Sequence, residues 1–466
     1  MFSRRLNERW WTMLNVAVGI YMATLDASVV NVALPTIVNS FGTDVKTVAW
    51  VVMGYLIVIT GCLLLMGGLA DLLGQGRIYL LGFITFTAGS GLCGLSPTIY
   101  FLIMSRLIQG LGASALMAIG PAIITSVFPQ KDRGQALGIT GSIVSVGFIT
   151  GPLIGGFLVE HLGWRSVFFV NLPIGVLGIF LSLKVLEKRG PRKKVSVDLW
   201  GAFLLFLLIT SLLLVLNQMS QGSTRLFWPL VGFCLVMSML FTTRELRSST
   251  PLVDLRIFRR QFFSVSLCSS LLAFWVTGAH NFIVPFFLQN ILGFSPSEVG
   301  MLVFPLALTV MVIAPLGGKL SDRVGVRLPA TAGLIIISLS IFSFSMLQKD
   351  ASQIEIIGRQ IFMGFGIAFF SPANNSAIIG SLPSEKVGLA SSFLALSRNL
   401  GMAVGVAFAE MVISFKSAGQ LSGTETGVPA LEAIQGVWKL TVVIGGVGAF
   451  LSWAGRRRTK KKSKGK

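Results

Sequence analysis

The chain has 466 residues, of which 53% are hydrophobic and 12% charged, with a mean hydropathy of +0.80. A soluble domain of this size is near one quarter charged, so composition excludes a soluble globular enzyme and predicts an all-α integral membrane protein. The formal net charge is +20, but the cations sit in short connectors and the two tails. That placement points to membrane topology rather than nucleic acid.

A membrane-crossing helix needs about 20 mostly apolar residues. Fourteen stretches qualify, near 12–40, 47–70, 78–96, 99–127, 135–159, 166–186, 198–217, 226–243, 262–290, 297–317, 329–347, 354–382, 387–414 and 433–454. The first follows an Arg-bearing N-terminus without a small-residue cleavage site, and reads as a retained helix. With that terminus cytoplasmic, 29 of the 38 Lys and Arg fall on the cytoplasmic side and 6 on the other. This asymmetry predicts an even number of spans, both termini cytoplasmic, and a multi-pass protein of an inner or plasma membrane. The basic tail at 456–466 reads as an anchor on anionic lipid headgroups. Cys62, Cys93, Cys234 and Cys268 all fall in spans without metal-ligand spacing.

Along the first spans, Asp26 lies midway through an apolar helix, where a carboxylate needs a proton, a cation or a hydrogen-bonding neighbour. Asn31 follows five residues later. Gly67 to Arg77 contains Gly67, Asp71, Gly74 and Arg77. Arg106 and Gln109 lie in the fourth span, where an always-charged guanidinium needs an acid or a cavity, or snorkels toward the helix end. Gly147 to Gly156 reads G-F-I-T-G-P-L-I-G-G, and Gly147, Gly151 and Gly155 share one helix face. With Pro152 and Gly156, this segment suits a close, bendable contact between membrane helices.

The second part repeats the first. Gly318, Asp322, Arg323 and Arg327 echo Gly67 to Arg77, Arg359 echoes Arg106, and Pro383 to Gly388 echoes Pro129 to Gly134. The offsets imply two six-helix halves at 10–187 and 260–455, with an inserted helix pair at 198–243. Such a duplication around a midplane site is the plan of many secondary transporters. The ninth span carries Trp275, His280, Asn281, Phe282, Phe286 and Gln289, and the twelfth Asn374 and Asn375. Aromatic and amide side chains together suit a permissive apolar site, although core packing explains any single one. Glu410 in the thirteenth span is a proton or substrate site, or a lateral partner of Arg398 or Lys416.

These motifs resemble the major facilitator superfamily, and within it the fourteen-helix drug:proton antiporter branch. Leu25 to Pro35 resembles the branch's first-helix motif, Gly67 to Arg77 the superfamily's loop signature, and Arg106 to Gly112 its helix 4 motif. Gly147 to Gly156 resembles the antiporter motif of helix 5. Trp164-Arg165 followed by Asn171-Leu-Pro173-Ile-Gly175 is also typical of the branch. Leu72 and Gln75-Gly76 depart from the usual basic residues of the loop.

The resemblance implies a major facilitator fold of two six-helix halves plus two inserted helices. It also implies proton-coupled export of hydrophobic small molecules, cationic ones included, by alternating access. Asp26, Arg106 and Glu410 would couple protons. The cavity would use Asn31, Gln109, Trp275, His280, Asn281, Phe282, Phe286, Gln289, Asn374 and Asn375. The loop signatures and the glycine run would act as gate and hinge. No cofactor or metal is expected, only the proton gradient, and the partners are substrate, protons and lipid around a monomer. Export of a lipid, siderophore or metabolite is the alternative; a non-transporting sensor or scaffold stands further off. Gly110 to Ala115 imitates a dinucleotide fingerprint, but no strand precedes it, and nothing supports an enzyme.

Overall fold

Inside a bilayer, backbone N–H and C=O groups find partners only within helices or closed barrels, and apolar runs of this length fold as helices. The computed structural model describes residues 2–129, 133–186, 198–219, 224–248, 255–382, 387–419 and 430–455. The basic tail at 456–466 lies outside them. The helices are α1 (Phe2–Phe41), α2 (Val45–Leu73), α3 (Gln75–Gly94), α4 (Ile99–Val127), α5 (Arg133–Leu162), α6 (Ser166–Phe169), α7 (Asn171–Val185), α8 (Leu199–Met219), α9 (Thr224–Arg247), α10 (Gln261–Phe286), α11 (Pro296–Val324), α12 (Arg327–Phe344), α13 (Gln353–Ile379), α14 (Val387–Gly419) and α15 (Leu431–Ala454). Among the described residues eleven spans are long and apolar enough to cross a membrane, α6 and α7 forming one of them. The helix α3 and the shorter apolar stretches of α5 and α8 complete the fourteen expected.

Two sets of helices pack in one pattern. In the first, α1 lies on α5, α4 on both α2 and α3, and α3 on α7; in the second, α10 lies on α14, α13 on both α11 and α12, and α12 on α15. The sets meet along α5–α11 and α2–α14. Small residues set these approaches. A Cβ on Gly147 would meet Thr24 and the Leu25 nitrogen; a Cβ on Gly401 would meet Leu271 and the Trp275 nitrogen. Likewise Gly112 abuts the Gly82 carbonyl, and Gly366 the Gly333 carbonyl.

These contacts fix which residues correspond. Leu25 matches Trp275, so Asp26 matches Val276. Gly112 matches Gly366, and each lies six residues beyond its partner in the pair Arg106 and Gln360. The counterpart of Arg106 is therefore Gln360, not Arg359 as the sequence repeat implied. Arg359 is only half-buried, and its Nη1 has no hydrogen-bond partner among the described residues.

Two irregularities position side chains. The span expected at 166–186 breaks at Val170 into α6 and α7. Pro173 lacks the N–H that would bond back into the preceding turn, which weakens the helix at this point, although Pro121 and Pro152 lie within unbroken helices. The break leaves Asn171 at the start of α7. Beyond Pro285, α10 passes into a π-helical turn, Phe287–Ile291, which carries Gln289. The pair α8–α9 packs to one side, α8 against α2 and α14, and α9 on α8. Leu235 and Met239 of α9 are exposed, as lipid-facing side chains are.

Candidate coupling site and central cavity

Asp26 is completely buried on α1 and Arg106 almost completely on α4. Arg106 Nη1 donates to Asp26 Oδ2 at 2.5 Å and to Gln109 Oε1 at 2.6 Å, while its Nε donates to the Val51 carbonyl of α2 at 3.0 Å. Gln109 Nε2 and Asn171 Nδ2 donate to Asp26 Oδ1 at 2.8 and 2.9 Å. The same two amides donate to Ser90 Oγ at 3.1 and 3.0 Å, and Ser90 Oγ donates to the Phe168 carbonyl at 2.8 Å. The guanidinium lies 3.9 Å from the Tyr55 ring centroid. A charge held in hydrocarbon is stable only when paired and fully hydrogen-bonded. Here groups of α4 and α7 bond the Asp26 carboxylate directly, and α2, α3 and α6 complete the network around them.

The structure thus joins Asp26, Arg106 and Gln109, and adds Asn171, Ser90 and Tyr55, which sequence reasoning did not single out. Asn171 stood inside the N-L-P-I-G motif as a family marker. Ser90, between two glycines, carried no signal of its own. Gln109 serves this knot rather than the cavity wall.

Between the two sets of helices lies a cavity of about 160 Å³. Asn31, His280 and Asn281 are on its wall, with Ser28, Phe148, Pro152, Phe274 and Gln360. Asp26 and Arg106 are not, although Ser28 and Asn31 belong to the same helix as Asp26. Trp275 packs on Phe408, with ring centroids 5.5 Å apart, and Phe282 packs on Phe286, all away from the wall. Asn374 is buried and Asn375 half-buried on α13, also off the wall. Glu410 is buried on α14, where Ser414 Oγ donates to its Oε1 at 2.7 Å. Lys416 donates instead to the Glu432 carbonyl at 2.9 Å.

The far ends of α5 and α11 close together. Gly156 abuts the Pro296 carbonyl, and Gly300 abuts the Pro152 carbonyl. Glu160 Oε2 accepts from the Ser297 nitrogen at 2.9 Å, and Gln289 Nε2 donates to the Val32 carbonyl at 2.8 Å. The first N–H groups of a helix have no partner within it. In α11, Pro296 has no N–H to satisfy, Ser295 and Glu298 cap each other, and Glu160 reaches from α5 to take Ser297. Gly147, Gly151 and Gly155 face Thr24, Ser28 and Val29 of α1, so the glycine run serves α1 on one side and α11 on the other.

At the opposite end, Asp71, Arg77, Asp322, Arg323 and Arg327 are exposed. Neither aspartate forms an ion pair among the described residues. Arg327 lies over the Trp453 ring at 4.1 Å. Gly74 and Gly325 end α2 and α11 with φ of 99° and 87°, a region that favours glycine. A Cβ on Gly67 would meet nothing, and Gly318 has room as well.

This arrangement is that of a multi-pass membrane transporter built from two similar sets of helices around one cavity. The model of the Major Facilitator Superfamily matches residues 16–270 and 266–466, and the chain belongs to that family. It is 36% identical to the riboflavin transporter RibZ of Clostridioides difficile (strain 630) over 404 residues, covering 86% of this chain and 88% of RibZ. It is 33% identical to the multidrug resistance protein Stp of Mycobacterium tuberculosis (strain CDC 1551 / Oshkosh) over 410 residues, covering 86% of this chain and 75% of Stp. The crystal structure of a bacterial homologue of the human lysosomal transporter Spinster has the same fold. It superimposes with a TM-score of 0.68 at 19% identity, covering 96% of this chain and 97% of that one.

Proposed function

We propose that this protein is a proton-coupled antiporter of the cell membrane, exporting hydrophobic small molecules by alternating access. The observation that carries the reading is the buried Asp26–Arg106 pair with Gln109 and Asn171, one helical turn from the cavity-lining Ser28 and Asn31 of α1. A proton on Asp26 removes one charge of the pair and weakens the bonds that hold α1 to α4 and α7. Because α1 also forms the cavity wall, that change reaches the substrate. Glu410 is the second acid of the scheme, on α14, which packs against α2 across the seam.

With both termini cytoplasmic, the closed α5–α11 seam faces outward and the exposed loop signatures face the cytoplasm. The protein then waits to load substrate from inside, as an exporter must. Asp71 and Asp322 act on closing that inner side, and a monomer suffices. The likeness to Stp supports a broad substrate range, and the likeness to RibZ favours a second reading, export of one metabolite.

The test uses purified protein in liposomes loaded with a pH-sensitive dye. Adding lipophilic cations, neutral aromatic drugs and lysolipids in turn should evoke proton movement with one class. Uphill transport of a substrate without any proton movement would refute the coupling.

A further inference from the structure

The glycine contacts that align the two sets of helices also align α1 with α10. A Cβ on Gly147 or Gly151 of α5 would meet the nitrogens of Leu25 and Val29; one on Gly401 or Gly405 of α14 would meet those of Trp275 and Ala279. The offset is 250 at both points, and it places Asn31 on Asn281 and Pro35 on Pro285. From Thr12 to Phe41 the only other residue that recurs at this offset is Ala23, as Ala273. A polar residue kept inside an apolar span, where nearly every neighbour differs between the repeats, points to function rather than packing.

Both asparagines line the cavity, and both are half-buried. The other polar side chains of the described wall are engaged. Ser28 Oγ donates to the Leu25 carbonyl at 3.0 Å and Thr277 Oγ1 to the Ala273 carbonyl at 2.9 Å. His280 and Gln360 share a hydrogen bond, with their polar atoms closed off from the cavity. By contrast, the Asn281 amide makes no hydrogen bond among the described residues, and Asn31 Nδ2 makes one long contact, 3.4 Å to the Ala27 carbonyl. No Asp, Glu, Lys or Arg is on the described wall. The two halves of this fold repeat about an axis along the membrane normal, so the two amides stand at one depth, one from each set of helices.

We infer that Asn31 and Asn281 are paired arms of the substrate site, and that the cavity takes uncharged planar molecules with hydrogen-bonding groups on two opposite edges. A carboxamide both donates and accepts, so each arm can meet a carbonyl or an N–H. A molecule held by both arms is bound to both sets of helices at once. A charged edge would shed its hydration here without meeting a counter-charge. The inference rests on the exporter reading and names its substrate class.

Three tricyclic probes of one shape test it, in mildly alkaline buffer where all are neutral. Acridone has a carbonyl and an N–H on opposite edges, acridine has one ring nitrogen, and anthracene has neither. Binding to the purified full-length protein in nanodiscs is read by fluorescence after equilibrium dialysis, less the uptake by empty nanodiscs. Each polar edge should tighten binding about fivefold, the worth of roughly one neutral hydrogen bond. Asn31→Leu and Asn281→Leu should each bring acridone down to acridine, while acridine, free to turn to the remaining arm, keeps its affinity. The double variant should bring both down to anthracene. Asn31→Ala and Asn281→Ala, which add no bulk, should repeat the pattern, with anthracene binding as the check that the cavity is intact. An acridone preference that survives the double variant, or that a single substitution removes entirely, would overturn the inference. So would equal binding of the three probes, or binding of none, by the unsubstituted protein. The expected pattern without substrate-evoked proton movement in liposomes would sustain the inference and refute the antiport.

Discussion

At the residue scale, Asp26 and Arg106 stabilise the first set of helices only as a pair. Removing one partner of a buried ion pair leaves the other charge unpaired and costs about 3–5 kcal/mol, whereas replacing both is far milder. Asp26→Asn and Arg106→Gln should therefore each lower the melting temperature in detergent, and the double variant should recover much of the loss. Additive losses in that cycle would mean the two do not act together. Asp26 and Arg106 were legible because ionisable residues stand out in apolar helices. That they meet each other was not, since 80 residues separate them and no local pattern reports such a distance. Gln360 was hidden by its neighbour Arg359: the charged residue drew the repeat alignment, and the glycine contacts moved it by one.

At the element scale, the glycine run of α5 is a packing device before it is a hinge. A side chain on Gly151 would collide with Ser28 and approach the Val29 backbone. Overpacking of that kind costs about 1–3 kcal/mol, so Gly151→Val should reduce the yield of folded protein on size-exclusion chromatography. Gly67→Ala, with open space around it, should not.

The inserted pair is tied by Asp198, which accepts from the Gly201 nitrogen at 2.8 Å and from Arg244 of α9 at 3.1 and 3.2 Å. Burial pushes the Asp198 carboxyl up, but the Gly201 N–H and Arg244 outweigh it and hold it below the ordinary carboxylate value. A depressed value stabilises the fold above the unfolded pKa of about 4, and the gain is lost as pH falls through the folded one. The melting temperature of Asp198→Asn should therefore lie below that of the unsubstituted protein at pH 7, and the two should converge in acid. A constant difference down to pH 3 would contradict this origin. All fourteen spans could be read from hydropathy, because helix formation in lipid follows from composition. Pro173 and Pro285 are visible in the sequence, but the break at Val170 and the π-helical turn could not be read from them, because Pro121 and Pro152 sit in unbroken helices and the packing beside each proline decides.

At the scale of the whole molecule, the two sets of helices are joined at one end by backbone contacts and by Glu160 on the start of α11. Glu160→Ala leaves the Ser297 N–H without its partner in the closed form and gives nothing back in the open one. It should shift the population toward opening at that end, seen as a longer spin-label distance between the ends of α5 and α11. An unchanged distance distribution would show that Gly156, Gly300 and the Gln289–Val32 bond close the seam without Glu160. The glycine run was legible as a contact surface, but its double use was not, because a motif on one helix does not name its partners.

The central claim is that the buried pair couples protons to export, and one comparison reaches it most directly. Substrate transport by the unsubstituted protein and by Asp26→Asn would be measured in the same liposomes, once under an imposed pH gradient and once as exchange at equal pH. The account predicts that the variant loses gradient-driven accumulation while retaining exchange, because the proton site is gone and no cavity-lining residue is changed, although Arg106 loses its counter-charge. Gradient-driven accumulation at the unsubstituted rate would contradict it, and would leave Asp26 a structural partner of Arg106 alone.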